Sequence, residues 1–274
     1  MQKSDNLWIV ADDLGLDEYL DEGIFFAAKN NLIDGVSIVA GSSAFDNAVR
    51  KLKEYPNLAV GIHLALVEEK SVLDKNSVQS LINKDGFFHK NHQIFFVRYC
   101  LGLIRKEEIK KEFEAQIERC LAAGLKIEFI NSHQHLHLLP GIRDIAIELA
   151  KKYGIQLIRT VNEPLTVKGN LFRKGQLIFL RFLSNRARNK IKASHLKSND
   201  FFVGFINAGK LSEPDIIIAQ KLSQENPEKL IELGCHPGFE NEYVRARYKS
   251  WGGYNWQKEI KSLKNVLFNE GHFS

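Results

Sequence analysis

The sequence predicts an α/β fold, a single domain of the (β/α)-barrel type, on three observations. Short apolar runs alternate with stretches of helical periodicity along the chain, as in βαβ units around a mostly parallel sheet. No internal repeat or low-complexity linker divides the 274 residues. Acidic, imidazole and guanidinium side chains recur at the predicted strand ends, where α/β barrels place their ligand sites. A doubly wound open sheet is the alternative topology.

Six apolar runs of strand length define the predicted sheet. They are residues 7–11, 36–40, 58–66, 127–130, 157–161 and 230–235. The third run is apolar throughout except for His63, and the fourth continues directly into a histidine-rich segment. These two strands are therefore predicted to carry functional side chains as well as core residues.

Seven stretches with apolar residues every three or four positions predict helices. They cover residues 17–30, 44–54, a long helical region after residue 91 that includes 105–123, and then 141–153, 177–191, 214–224 and 256–268. The third is the clearest, because apolar residues recur every four positions from Ile109 to Leu121 and Gly124 then ends the helix. The polar, irregular stretch 67–91 is predicted to be a long loop that could cover a site.

The composition is that of an ordinary soluble globular protein, with 44% hydrophobic and 26% charged residues. Cys100, Cys120 and Cys235 are widely spaced, which predicts free thiols in a reducing compartment, with Cys235 as a buried structural thiol. Residues 1–10 lack the apolar stretch of a secretory signal, so we expect a cytoplasmic protein. No run approaches the ~20 apolar residues of a membrane span.

The positive charge is concentrated in one segment. The net charge is +5, but residues 165–199 contain nine Lys or Arg and no acid, so the rest of the chain is slightly acidic. We consider three interpretations of this basic insertion: a solvated helical face, a site for an anionic headgroup, phosphate or nucleotide sugar, and docking on a membrane surface. Nucleic-acid binding is not expected, because no recognition module is visible.

A dinucleotide-binding domain is not expected either. The segment after the first strand reads Asp12-Asp13-Leu14-Gly15 where a nucleotide-binding unit would have a glycine-rich turn. Two carboxylates at that place would repel a pyrophosphate. The sequence therefore argues against an NAD or FAD enzyme.

The same aspartates belong to a predicted metal site at the strand ends. Asp12 and Asp13 follow the first strand, and His63 interrupts the third. A carboxylate with two imidazoles binds a borderline divalent cation and leaves positions for water and substrate. Such a cation makes water more acidic and polarises a carbonyl, and a second carboxylate can take the proton. The alternatives are a helix N-cap for the aspartates and a hydrogen-bonded core position for His63.

The most specific signal is the run S-H-Q-H-L-H at residues 132–137. Because alternate residues of a strand share a face, His133, His135 and His137 would point the same way if the strand continues through them. Three imidazoles on one face favour a metal or ligand site over an exposed loop, which is the alternative. His236 follows the last predicted strand; it could protonate a leaving amine or lie in a surface turn.

Four motifs, in order along nearly the whole chain, resemble those of the YdjC-like carbohydrate deacetylases. They are A-D-D-L-G at 11–15, G-I-H-L at 61–64, S-H-Q-H-L-H at 132–137 and C-H-P-G-F at 235–239. The resemblance implies a distorted TIM-like barrel, a bound divalent cation, and hydrolysis of an N-acetyl group from an amino sugar to give the amine and acetate. Because members of this family act on chitooligosaccharides or on sugar-bearing hopanoid lipids, the implied substrate is an oligosaccharide or a glycolipid.

The resemblance also implies roles for individual residues. Asp13, His63 and His133 would ligate one divalent cation, either Mg²⁺, Zn²⁺, Mn²⁺ or Co²⁺. Asp12 would be the general base and His236 the general acid.

Three further residues are expected to bind the substrate or orient the site. Arg159 and Glu163, in the segment R-T-V-N-E-P, resemble the family's Arg-to-Glu-Pro segment, and His135 is the third. The sequence departs from the family pattern at Val10, where Asn is usual, and in the basic insertion. Both departures concern the substrate and leave the implied metal ligands unchanged.

Two rival functions fit the same residues. A carboxylate with two imidazoles could equally serve a hydrolase of another amide or of a phosphoester, and a barrel with such a pocket could bind a sugar or lipid without catalysis. Peripheral membrane contact and a homodimer are the further partner hypotheses.

Overall fold

The sheet of the computed structural model, which describes residues 4–268, has the strand order of a barrel. Within the described residues seven parallel strands pair in the order β5-β4-β3-β2-β1-β7-β6. Their bounds are Leu7–Leu14 (β1), Gly35–Ile38 (β2), Ala59–Leu64 (β3), Phe129–Ser132 (β4), Leu157–Ile158 (β5), Phe201–Val203 (β6) and Ile231–Cys235 (β7). Strands β1 to β5 follow one another in the sheet in sequence order, β7 lies beside β1, and β6 pairs with β7 at the other edge. A doubly wound sheet would reverse its order at a switch point, so the predicted barrel is confirmed and the open sheet is wrong.

The barrel is distorted because irregular segments connect its two edge strands, β5 and β6. Thr160 donates its backbone N–H to Asn199 Oδ1 (2.7 Å), and Asn199 Nδ2 donates to the Thr160 carbonyl (2.8 Å). Phe202 N donates to Asn162 O at 3.4 Å. Side chains and loop backbone thus take the place of a regular strand pair, and the sheet curls into a TIM-like barrel of one domain.

Helices surround this sheet, and they agree with the predicted ones except that α8 was not predicted and the helical region after residue 91 divides into α3 and α4. Their bounds are Glu18–Lys29 (α1), Phe45–Leu52 (α2), His92–Cys100 (α3), Lys106–Ala122 (α4), Ile142–Tyr153 (α5), Leu171–Ala193 (α6), Glu213–Glu225 (α7), Glu242–Arg247 (α8) and Trp256–Phe268 (α9). The basic insertion contains α6, which begins six residues earlier than predicted. Its first residues, Leu171 and Phe172, are exposed, so they do not belong to the buried stripe from which the helix was predicted.

Two predicted strands are shifted or shortened by their pairing. The predicted strand 127–130 becomes β4 because it pairs with β3 from Gly61 opposite Phe129 to Leu64 opposite Ser132. The predicted strand 157–161 pairs as a strand only over β5, although Arg159 N still donates to Ile130 O at 2.9 Å. Beyond this point the chain supplies side chains to the barrel interior instead of strand partners.

The cysteines are free, as predicted. Cys120 and Cys235 are buried and Cys100 is exposed. Burial raises the pKa of the Cys120 thiol to about 12 and that of Cys235 well above its ordinary value, which is typical of structural thiols. Within residues 4–268, no helix has the length and apolar character needed to cross a membrane.

Candidate active site

An irregularity at the end of β1 aims two consecutive carboxylates at different partners. Asp13 has a left-handed backbone, with φ 70°, and the β1–β2 register shifts between Ala11 and Leu14. The N-cap of α1 is Asp17, whose side chain accepts a hydrogen bond from Tyr19 N. The helix-cap interpretation of Asp12 and Asp13 is therefore wrong, and both carboxylates are free for the site.

Asp13, His63 and His133 form a compact buried cluster. His63 Nε2 lies 3.3 Å from Asp13 Oδ1, His133 Nδ1 lies 3.2 Å from the same oxygen, and the two ring nitrogens are 3.4 Å apart. The three side chains come from β1, β3 and the turn after β4, so the carboxyl ends of neighbouring parallel strands bring them together. Among the described residues this trio has the donor set and spacing of a metal site.

Each of the two histidine rings is oriented by a hydrogen bond from the nitrogen that points away from Asp13. His63 Nδ1 donates to Asn131 Oδ1 at 2.7 Å, and His133 Nε2 donates to Glu68 Oε2 at 3.0 Å. When both imidazoles are neutral, as they would be around a bound cation, the lone pair of the other nitrogen of each ring is directed toward the cluster. Partners of this kind orient metal-ligating histidines and increase their basicity.

The cluster fits a divalent cation by its chemistry as well as its spacing. Ligands 2.0–2.1 Å from a tetrahedral zinc ion are roughly 3.3 Å from one another, close to the separations of the three donor atoms. Burial opposes the charged form of His133, but the carboxylates of Asp13 and Glu68 outweigh it and raise the pKa of His133 well above its ordinary value. The cluster thus attracts positive charge.

Asp12 is held beside this cluster by a buried network. Its Oδ1 accepts hydrogen bonds from Ser37 Oγ (2.8 Å), Asn131 Nδ2 (2.9 Å) and Arg159 Nη2 (2.9 Å), and Arg159 Nη1 binds Oδ2 at 2.5 Å. Burial raises the pKa of Asp12, but Arg159 and then His63 outweigh it and hold the pKa well below its usual range. Asp12 is therefore a fixed, ionised carboxylate.

Arg159 lies beneath the site and is completely buried. Besides Asp12 it binds Glu232 Oε1 through Nε (2.7 Å) and Nη2 (2.6 Å), and its guanidinium lies 5.1 Å from the centre of the Phe202 ring. Burial is the largest effect on Glu232 and raises its pKa to about 7. These contacts give Arg159 a role in orienting the site and leave it no surface toward the cavity.

His236 lies in the turn after β7, near the Asp13 carboxylate oxygen that does not face the two histidines of the cluster. Its Nε2 is 3.9 Å from Asp13 Oδ2, and its ring packs against Tyr254 with centroids 5.3 Å apart. Glu259 from α9 accepts the His236 backbone N–H at 2.5 Å. The histidine is only slightly exposed and faces the cavity, so it is not a surface-turn residue.

The prediction that three histidines share one face is wrong. The strand ends at Ser132, and residues His133–Leu138 form a short 3₁₀ segment in which Gln134 and His135 have left-handed backbones. His133 joins the cluster. His135 lines the cavity between the rings of Phe202 and Phe205.

His137 points away from the cavity into the core. It is fully buried, and its Nε2 donates to the Arg159 carbonyl at 2.9 Å while Nδ1 accepts from Ser132 Oγ at 2.6 Å. Its role is therefore to fix the backbone next to Arg159.

Glu163 acts on a loop of the cavity wall. Its buried carboxylate accepts the backbone N–H groups of Gly204 (2.8 Å) and Ile206 (2.7 Å), and burial raises its pKa to about 7. It thereby holds Phe205 at the cavity wall. Its contacts are those of a residue that positions the wall.

The cavity above the cluster has a volume of about 1510 Å³. The predicted loop 67–91 forms part of its wall, and aromatic side chains form much of the rest. The lining aromatic residues are Phe87, Phe88, Phe202, Phe205, Tyr243, Tyr248, Trp251 and Tyr254. Trp251 lies directly over His133, with ring centroids 5.0 Å apart. Most of the other lining residues are polar or charged, so the cavity offers both apolar ring faces and many hydrogen-bonding groups to a small-molecule ligand.

Comparison with known proteins places this geometry in a family. The family model described as YdjC-like protein matches residues 6–270. The chain belongs to the YdjC-like family. A carbohydrate deacetylase of Clostridium beijerinckii is 26% identical over 93% of this chain and 89% of its own length. Another from Listeria welshimeri is 34% identical over 69% of this chain and 76% of its own.

Two further proteins match this chain more locally or in fold alone. A carbohydrate deacetylase of Brevibacillus brevis is 35% identical over 54% of this chain, and the match spans 57% of that relative. A crystal structure from Enterococcus faecalis V583, described as a candidate cellobiose-phosphate cleavage protein, covers 97% of this chain and 93% of its own with a TM-score of 0.70 and 23% identity. That likeness supports the barrel fold.

Sequence reasoning missed the residues that hold this YdjC-like site in place. Glu68, Asn131 and Glu232 each contact a cluster or network residue. Asn131 could have been found from the sequence, because it directly precedes the S-H-Q-H-L-H run at the end of a predicted strand. Glu232 interrupts the apolar run 230–235 as His63 interrupts the third strand, so the same signal could have found it. Glu68 lies in the polar stretch 67–91, where a carboxylate carries no such signal.

Proposed function

We propose that this protein is a metal-dependent carbohydrate deacetylase, which hydrolyses the N-acetyl group of an amino sugar to give the free amine and acetate. The relatives named as carbohydrate deacetylases support the reaction class. The observation that carries the proposal is the cluster of Asp13, His63 and His133 with Asp12 and His236 beside it.

One divalent cation, held by the three cluster residues, completes the site in this proposal. When bound, it would supply Lewis acidity, polarising the acetamide carbonyl and making water more acidic. The choice among Zn²⁺, Mn²⁺, Co²⁺ and Mg²⁺ is part of the experiment below. Imidazole ligands favour the first-row transition metals over Mg²⁺.

Asp12 acts as the general base. Arg159 keeps its carboxylate ionised, so it is ready to accept a proton at neutral pH. Within the described residues Oδ2 accepts hydrogen bonds from Arg159 alone, whereas Oδ1 accepts three. Since a carboxylate oxygen carries two lone pairs, Oδ2 is the atom that takes the proton of the attacking water.

His236 acts as the general acid. Its ring faces the cavity near the Asp13 carboxylate, where it can reach the nitrogen that leaves as the acetamide bond breaks. Glu259 fixes the backbone of His236, and the Tyr254 ring restricts the imidazole. A proton at Nε2 would then be delivered to the departing amine.

The cavity accommodates a carbohydrate larger than one sugar ring. Its aromatic walls offer flat apolar faces to sugar C–H groups, and Trp251 over His133 would place such a face next to the reacting acetamide. An N-acetylated oligosaccharide or the sugar of a glycolipid are the substrate classes proposed. His135 belongs to the wall that contacts this sugar.

The test is acetate release from a panel of N-acetylated amino sugars, using metal-free protein resupplied with each of the four cations. Wild type should release acetate only with a cation, and Asp12→Asn should not. Release of phosphate from phosphorylated sugars without acetate would replace the deacetylase with a phosphoesterase. Sugar binding that survives Asp12→Asn, with no product from either protein, would identify a binding barrel instead.

A further inference from the structure

An exposed apolar surface covers α3, the turn after it, and the first half of α6. We call these residues the α3/α6 face. Its members are Ile94, Phe96, Val97, Leu101 and Leu103 from the first segment and Leu171, Phe172, Ile178, Phe179 and Phe182 from the second. The two segments meet where Phe96 and Phe179 pack edge to face with ring centroids 6.2 Å apart. Scattered exposed apolar residues are normal, but a continuous patch of this kind marks an interaction surface.

The helix α6 is apolar on two opposite sides. Leu177, Leu180, Leu183, Ala187 and Ile191 form the buried stripe that packs on the barrel. The apolar residues of the α3/α6 face recur at helical spacing on the other side, and Leu171 and Phe172 are 84% and 67% exposed. The first stripe is therefore buried against the barrel, whereas the second stays largely exposed apart from the contact of Phe179 with Phe96.

Positive charges predominate around this face, although Lys190 pairs with Asp144 and Arg105 pairs with Glu108. Residues 164–199 contain nine Lys or Arg and no acid, and residues 86–106 contain four Lys or Arg and no acid. Along the exposed side of α6 the apolar residues give way to Arg186 and Lys190 toward the C-terminus, and Arg181 flanks them. An occupant of the face must therefore accept apolar side chains and carry negative charge.

We propose that the α3/α6 face docks this protein peripherally on an anionic lipid bilayer. Phenylalanine, leucine and isoleucine side chains would enter the headgroup and acyl boundary, while the arginines and lysines bind lipid phosphates. A second copy of the chain fits less well, because a symmetric contact would bring two basic surfaces together. This proposal is independent of the deacetylase reaction.

Docking in this way would place the cavity mouth beside the lipid surface. Asn91 and Asn170 are the N-caps of α3 and α6, and both line the cavity together with His92 and Arg173. The two helices thus start at the cavity rim and extend from it as the apolar face. The bound protein would work on material held at or near the bilayer.

The chain supplies its own reporter for the test. Cys100 lies on α3 and is exposed, whereas Cys120 and Cys235 are buried. An environment-sensitive fluorophore attached to Cys100 should shift to shorter wavelength with vesicles of phosphatidylcholine and phosphatidylglycerol, and should not shift with phosphatidylcholine alone. Cosedimentation should likewise show stronger binding to the vesicles that contain phosphatidylglycerol than to phosphatidylcholine alone. This binding should weaken as salt is added.

Matched variants separate the apolar and electrostatic contributions. Phe179→Ser should weaken vesicle binding about tenfold or more, and Tyr19→Ser should not, since Tyr19 is equally exposed but lies on α1, which packs against α2 and α9. Arg181→Gln with Arg186→Gln should also weaken binding about tenfold, while Lys29→Gln with Lys53→Gln should not. Thermal melting of each variant shows that it is folded.

Two kinds of result, one from vesicle binding and one from the oligomeric state, would overturn the proposal. One is absence of binding to the anionic vesicles, or equal binding to both kinds of vesicle by wild type. The other is a dimer, seen by sedimentation velocity, that Phe179→Ser dissociates, because the face would then be covered by a second copy.

Discussion

Arg159 and Asp12, which are 147 residues apart in sequence, form a buried two-point ion pair at the centre of the site. The two terminal nitrogens of the guanidinium bind the two carboxylate oxygens at 2.5 and 2.9 Å, and Glu232 holds the guanidinium from its other side. The pair fixes both the ionisation and the direction of Asp12. Because Arg159 makes no contact with the cavity, it is a positioning residue.

Replacing Arg159 with lysine should therefore lower kcat strongly and leave KM for the substrate nearly unchanged. A lysine keeps the charge but cannot bind both oxygens of Asp12 together with Glu232. We expect Arg159→Lys to reduce kcat about a hundredfold with KM changed by about twofold or less, by analogy with the loss of orientation of a reacting group. Steady-state kinetics of acetate release test this expectation. Arg143→Lys is the control, since Arg143 is also buried but pairs with Asp144; an equal loss there would contradict a specific role.

Substitutions of the two neighbouring aspartates should have different effects: that of Asp12 should reduce catalysis, and that of Asp13 should abolish metal binding. Asp12→Asn is expected to lower kcat by about 10² to 10⁴ and to keep the cation, because Asp12 is outside the trio of donor atoms. Asp13→Asn is expected to lose the cation. Isothermal titration with Zn²⁺ and acetate release, measured on both variants, give the comparison. If both variants lose the cation alike, Asp12 is a ligand and cannot be the base.

Removing the charge of Glu68 should lower the metal affinity of the site, although Glu68 is not one of the proposed ligands. Glu68 accepts the Nε2–H of His133 at 3.0 Å, which orients the ring and makes its other nitrogen a better ligand. We expect Glu68→Gln to reduce metal affinity about 10- to 100-fold. The neighbouring Glu69→Gln is the control, because Glu69 pairs with Arg247. Competition with a chromogenic chelator measures both affinities, and equal affinities in the two variants would exclude the proposed role of Glu68.

Asp21 should make the protein less stable as the pH rises. Burial raises its pKa from 3.8 to about 8; Oδ1 accepts the Gly15 N–H at 2.7 Å, and Oδ2 is buried without a hydrogen-bond partner among the described residues. Between about pH 4 and pH 8 the folded chain keeps this proton while the unfolded chain has lost it, so the free energy of unfolding falls as pH rises.

Asp21→Asn removes this titration while retaining the acceptor for Gly15. We expect the variant to lose less stability than wild type between about pH 5 and pH 8, by a few kcal/mol. Urea unfolding at several pH values within this window measures the difference. Parallel curves for the two proteins would show that Asp21 is ionised in the folded state.

Local sequence patterns were sufficient for most of the fold. Apolar runs predicted β1, β2, β3 and β7, because strands buried on both faces consist of little else. The strand β6 has only three residues and was not predicted. A run this short has no recognisable sequence pattern, and it is a strand because it pairs with β7.

The sequence by itself determined which side chains are available to the candidate site, because Asp12 and Asp13 follow one apolar run and His63 interrupts another. The tertiary structure decided the geometry. Two left-handed residues end the alternation after Ser132 and direct His137 into the core, and periodicity predicts a shared face only while the backbone stays regular. Contacts such as that of Arg159 with Asp12 arise from closing the barrel, which joins residues that no local pattern relates.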